Sequence, residues 1–112
     1  MEILIIETRE FSKLKNDFQK KRQLLESDYE SLKTDLRIYP EKGDLIPGTG
    51  GVRKIRLASA SKGKSGGFRV CYYYLISDKE IYLVWVYAKG EQENLTMEEK
   101  KNLKEIVRVI KG

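Results

Sequence analysis

The sequence predicts an α+β fold: a small curved, antiparallel-rich sheet of about four strands, preceded by an amino-terminal helical hairpin and closed by a carboxy-terminal helix. Three observations predict it. The apolar periodicity runs from a short Ile-rich segment through two helix-spaced stripes, one alternating run and two runs dense in Val, Ile, Tyr and Trp, then back to a helix-spaced stripe. Turn-forming residues lie between these segments rather than inside them. And 112 residues, 40% hydrophobic and 10% aromatic, suffice for one core but not for two, so residues 1–112 are expected to form a single domain.

Glu2 to Glu7 reads as the first strand, and its unbroken Leu and Ile point to a central place in the sheet. Thr8 opens a helix whose stripe is Phe11, Leu14, Phe18 and Leu25, with Lys13, Lys15, Lys20, Lys21 and Arg22 on the solvated side. Ser27 and Glu30 match a capping box that starts a second helix; Tyr29, Leu32 and Leu36 form its buried side, and Pro40 and Gly43 end it. EKGDLIPGTGG is the one long loop. Val52 to Leu57 alternates, with Ile55 and Leu57 facing one way and Lys54 and Arg56 the other. SASKGKSGG reads as a flexible connection. Phe68 to Ile76 and Ile81 to Ala88 are strands joined by the short link Ser77 to Glu80, an antiparallel hairpin that sets Arg69 beside Tyr87, Ala88 and Lys89. Tyr72 and Tyr74 share one strand face and Tyr73 the other, so at least one set belongs to packing. Thr96 and Glu99 form a second capping box, ahead of a stripe of Leu103, Ile106, Val107 and Ile110. Glu98 and Glu99 at the start of that helix, and Lys104, Arg108 and Lys111 towards its end, suit its dipole.

Charge is the informative quantity. No acidic residue lies between Asp44 and Asp78, whereas Arg53, Lys54, Arg56, Lys62, Lys64 and Arg69 do. Taking those six from the 22 basic residues leaves 16 against 17 acidic ones, so the whole formal charge of +5 resides in this block. A concentrated surplus fits a phosphate-bearing partner, through counterion release and electrostatic steering.

Other chemistries are excluded by composition. The chain has no histidine, hence no Ser-His or Cys-His pair and no His-bearing zinc site. Its one cysteine, Cys71, lies in an apolar run and reads as a packed thiol. The glycines of the long loop lack the Gly-Lys-Ser/Thr of a P-loop. MEILIIE has neither the basic flank nor the length of a signal peptide or membrane span, so the expected location is the cytoplasm, with no membrane partner.

Four segments, GDLIPGTGGVRKIR, GKSGGFRVCYYY, IYLVWVYAKGE and LTMEEKKNLKEIV, resemble in order and spacing the HigB-like branch of the RelE/ParE toxin superfamily of bacterial and phage toxin-antitoxin modules. The resemblance runs from about Lys42 to Val107. It implies a basic cleft that cuts messenger RNA in the ribosomal A site, a cognate antitoxin of helix-turn-helix type, and no cofactor or metal. The family's cleft residues fall on Lys54 and Arg56, on Arg69, and on Tyr87 with Lys89. Many relatives carry a histidine near the last of these; this chain has none, which leaves either a Lys/Arg/Tyr mechanism or no cleavage at all. The other outcomes are a ParE-like, topoisomerase-directed inhibitor and a plain nucleic-acid-binding module.

The resemblance further implies attack of a ribose 2′-hydroxyl on the adjacent phosphorus. Such a step needs a base, charge stabilisation and an acid. Arg69 and Arg56 would clamp the phosphate. Lys54 or Lys89 would be the base, since clustered cations favour the neutral amine, and Tyr87 the proton donor or a stacking partner. Arg53, Lys62 and Lys64 would grip RNA backbone.

Overall fold

The computed structural model describes residues 2–21, 23–59, 63–92 and 94–112 and, within them, every side chain except those at 58, 59 and 63–66. The fold is α+β. In chain order it comprises β1 (Leu4–Glu7), α1 (Arg9–Lys20), α2 (Glu26–Ile38), β2 (Asp44–Leu45), β3 (Arg53–Ser59), β4 (Gly63–Leu75), a 3-10 turn (Ile76–Asp78), β5 (Glu80–Ala88) and α3 (Met97–Lys111). The sheet has five strands in the order β1-β5-β4-β3-β2; β1 runs parallel to β5 and every other pair is antiparallel. Among the described residues no helix is long and apolar enough to cross a membrane.

Each face of the sheet is covered by its own helices. On one, Phe11, Tyr29, Leu32 and Leu36 of α1 and α2, with Leu24 between them, pack on Ile55, Leu57, Phe68, Val70, Tyr72, Ile81, Leu83 and Val86. On the other, Leu103 and Val107 of α3 pack on Val52, Cys71, Val84 and Tyr87. The alternation in β3 is as expected: Ile55 and Leu57 enter the hairpin-side core, which leaves Lys54 and Arg56 for the α3 side. Tyr72 and Tyr74 face the helical hairpin and Tyr73 faces α3.

Several expectations are corrected. The strand β1 lies at an edge, not the centre. Ile3 and Ile5 pack towards the hairpin while Ile6 borders α3, so the apolar run reports two covered faces rather than two strand neighbours. The long loop contains β2, which pairs Asp44 with Lys54 and Leu45 with Arg53, and raises the strand count to five. Much of the glycine-rich connection is strand: β3 continues to Ser59 and β4 begins at Gly63.

The Ser27/Glu30 box does not cap α2. The cap is Leu25, which makes no side-chain bond, because the chain leaving α1 turns Leu24 into the core and starts the helix earlier. Glu26 and Asp28 supply negative charge to the first turn instead. Leu25 is therefore exposed, and Leu24 takes the buried position expected of it.

Lys15 is not merely solvated. Its Nζ donates to Glu7 Oε2 at 2.8 Å, Ser12 Oγ donates to Oε1 at 2.5 Å, and the Tyr29 hydroxyl also donates to Oε2. This polar cluster ties β1 to both hairpin helices. A second tie lies at the opposite end of the sheet. The buried Tyr72 hydroxyl accepts from Gly43 N at 2.8 Å and donates to Pro40 O at 2.9 Å. Glycine is required at 43 because a Cβ there would stand 2.9 Å from the Tyr72 ring and 3.0 Å from Lys54 O.

Candidate functional site

Strand register builds the site. Arg56 pairs with Arg69, and Arg69 with Tyr87; one step along, Lys54 pairs with Cys71, and Cys71 with Trp85. These cross-strand rows lie on the α3 side of the sheet. Two arginines directly opposite each other repel, and an anion between them would relieve that repulsion. The Arg69–Tyr87 contact is the one expected of the hairpin.

Placing Tyr87 in that row depends on a β-bulge. Tyr72 pairs with Leu83 and Cys71 with Trp85, which makes Val84 an extra residue. Ile81 and Leu83 face the helical hairpin. Counting by twos, Tyr87 would join them; the extra residue resets the alternation and turns Tyr87 to the α3 side, with both Val84 and Trp85.

Three polar atoms in these rows, Arg69 Nη1, Trp85 Nε1 and the Tyr87 hydroxyl, are buried with no hydrogen-bond partner among the described residues. Uncompensated burial of a donor costs about 1–3 kcal/mol, and the three atoms lie on the adjacent strands β4 and β5. Burial, then the charges of Cys71 and Glu99, hold the Tyr87 phenol above its ordinary range against the opposing Arg69, so it keeps its proton at neutral pH. Burial pushes the Cys71 thiol up to about 12, with Lys54 opposing and Glu99 assisting. A thiol so placed is a packing group, not a nucleophile.

The sequence-predicted residues divide as follows. Lys54, Arg56, Arg69 and Tyr87 come together on one face; Arg56 is exposed, Lys54 and Arg69 half-buried, and Tyr87 only 4% exposed. Lys89 is exposed one residue beyond β5, fixed by its N–H donating to Gly67 O at 3.2 Å. Arg53 is not with them. It sits opposite Tyr72, and its Nη1 donates to Glu41 O at 3.0 Å and to Gly43 O at 2.7 Å, which ties down the 41–43 turn. Lys62 and the Lys64 side chain lie outside the described residues. Among the described residues no three His, Cys, Asp or Glu side chains gather as a metal site would require.

Two residues at the site escaped sequence reasoning. Trp85 reads as strand packing, and only the bulge reveals its alignment with Lys54. Glu99 reads as a cap, which it is: the Thr96 hydroxyl accepts from Glu99 N at 3.1 Å and Glu99 Oε1 accepts from Thr96 N at 2.8 Å. The available signal was its position one turn before Leu103, on the stripe that faces the sheet.

Known proteins share this arrangement of strands and helices. The family model of the RelE toxin of the RelE/RelB toxin-antitoxin system matches residues 5–112. Among solved structures, a mutant of the E. coli toxin RelE in the free state is similar, with a TM-score of 0.53 and 18% identity over 83% of this chain and 90% of that one. At that identity the structural likeness carries the fold, while the family match covers nearly the whole chain. The protein belongs to the RelE toxin family, the toxin half of toxin-antitoxin systems.

Proposed function

We propose that this toxin is a ribosome-dependent messenger-RNA endonuclease of the HigB-like branch, acting in the cytoplasm as a single domain and held in check by a helix-turn-helix antitoxin. The observation that carries the reading is the row Arg56–Arg69–Tyr87, with a guanidinium nitrogen and a phenol buried side by side and without a hydrogen-bond partner among the described residues. A phosphodiester satisfies both. Its non-bridging oxygens accept from Arg69 and Arg56, whose planar, permanently charged forks suit phosphate.

In the reaction a 2′-hydroxyl loses its proton to a base and its oxygen bonds to phosphorus. The P–O5′ bond breaks, and O5′ leaves with a proton from an acid. The products are a 2′,3′-cyclic phosphate and a 5′-hydroxyl. Tyr87 is the acid, since its environment keeps the phenol protonated. Lys54 and Lys89 surround the phosphorane-like transition state with positive charge. Lys62 and Lys64 add backbone grip.

The test is to express the protein alone and with its antitoxin, and to map message ends. Growth arrest relieved by the antitoxin, with discrete 5′-hydroxyl ends on translated messages only, is the expected result. Arrest without new ends, accompanied by trapped topoisomerase, would overturn the nuclease reading.

A further inference from the structure

A carboxylate is out of place on the inner side of α3. Glu99 lies one turn before Leu103 and two before Ile106, on the stripe that faces the sheet. It is half-buried, and both of its hydrogen bonds fall on Oε1, from Thr96 N at 2.8 Å and from Gln92 Nε2 at 3.0 Å. The carboxylate is thereby anchored through one oxygen, and Oε2 has no hydrogen-bond partner among the described residues, which leaves it to serve another group. The buried surroundings of the nearby Tyr87 hydroxyl and Trp85 indole N–H supply the second observation, since both donors point to a ligand still to be received.

Resting on the endonuclease reading, we infer that Glu99 is the general base, accepting the 2′-hydroxyl proton on Oε2 while Tyr87 gives its proton to O5′. A lysine amine ordinarily holds its proton at neutral pH and must lose it before acting as a base, whereas a carboxylate ordinarily needs no such step. Two groups of opposite protonation beside one phosphate form the acid-base division that a histidine pair would otherwise provide. The proton balance closes: one proton goes from 2′-O to Glu99 and one from Tyr87 to O5′, and solvent exchange resets both. The groups facing Glu99 are Cys71 and Tyr87 on the sheet, with Lys54 and Arg69 beside them, Gln92 in the preceding turn, and Glu10 and Glu105 along the groove between α1 and α3 that Glu99 and Trp85 also line.

The experiment uses ribosomes programmed with a message whose mapped cut site carries either the natural 5′-oxygen or a 5′-bridging sulfur, a leaving group that needs no acid. Glu99→Gln retains the capping box, in which Gln substitutes for Glu, so its melting point should be unchanged. Its single-turnover rate should fall about 10²- to 10⁴-fold on both substrates. Tyr87→Phe should be slow on oxygen and restored by sulfur. Glu99→Asp, which keeps the charge, should fall between wild type and Glu99→Gln. Rates for Glu99→Gln within about threefold of wild type, or restored by sulfur, would overturn the assignment while leaving the nuclease standing. If the wild-type protein makes no cut, the nuclease reading falls and the base with it. Should Glu99→Gln melt early, the Asp variant decides: a folded Glu99→Asp protein slow on oxygen but restored by sulfur would refute the role.

Discussion

Tyr72→Phe separates the structural face of the sheet from the chemical one. The substitution removes a single oxygen that satisfies two backbone groups, Gly43 N–H and Pro40 C=O, at 2.8 and 2.9 Å. The first bond is fully buried, so the N–H is left without a partner at a cost of about 1–3 kcal/mol. The second is partly open to water and loses less, about 0.5–1 kcal/mol. Together they amount to about 1.5–4 kcal/mol, a large part of a small domain's total stability. At about 4 °C per kcal/mol the melting point should fall by about 6–16 °C. Message cleavage by the folded fraction should be unchanged, because Tyr72 faces the helical hairpin while Lys54, Arg69 and Tyr87 face α3. The assay is a thermal melt beside a single-turnover cleavage measurement at low temperature. A melting point within about 2 °C of wild type would refute the energetic argument, and lost cleavage in a stable variant would refute the division of faces.

Two further outcomes are expected. Burial acts to raise the Glu7 pKa, but hydrogen bonds from Lys15, Ser12 and Tyr29 outweigh it and hold the carboxyl below its ordinary 4.5. Its stabilisation is therefore present above that value and lost as pH falls through the lower folded one, so Glu7→Gln should melt several degrees below wild type at neutral pH and converge with it in acid; a constant gap across that range would contradict the linkage. Lys62→Glu with Lys64→Glu should weaken RNA binding and reduce the log-log salt slope by about 1.4 units, the share of two phosphate contacts on a single strand, whereas an unchanged slope would mark them as solvated surface.

The fold was legible where local chemistry determined it. The hairpin gave the Arg69–Tyr87 neighbourhood from strand direction alone, and the Thr96/Glu99 box gave the start of α3. What was hidden depends on contacts between distant segments. The start of α2 follows the burial of Leu24, a tertiary preference that outweighs the Ser27/Glu30 motif. The edge position of β1 is a matter of hydrogen bonding, which side-chain composition does not encode. The extra residue at Val84 is invisible because Leu-Val-Trp-Val is apolar at every position, so no polar residue marks which face each side chain takes. Arg53, set with Lys62 and Lys64 as a grip on RNA backbone, points to the opposite face from its strand neighbour Lys54 and ties down the 41–43 turn, a contact between distant segments that composition does not encode.

The central claim is that Arg69 and Tyr87, brought together by register with Arg69 Nη1 and the Tyr87 hydroxyl unpartnered among the described residues, hold and cleave a phosphodiester. Arg69→Ala tests it most directly, by mapping message ends on translating ribosomes and melting the same protein. Arg69 is half-buried, and its Nη1 has no protein partner among the described residues. Its loss should therefore leave the melting point within a few degrees of wild type, while cleavage falls at least about 10²-fold, as for a lost transition-state donor. Normal cutting by the variant, or activity lost only because the protein unfolds, would contradict the account.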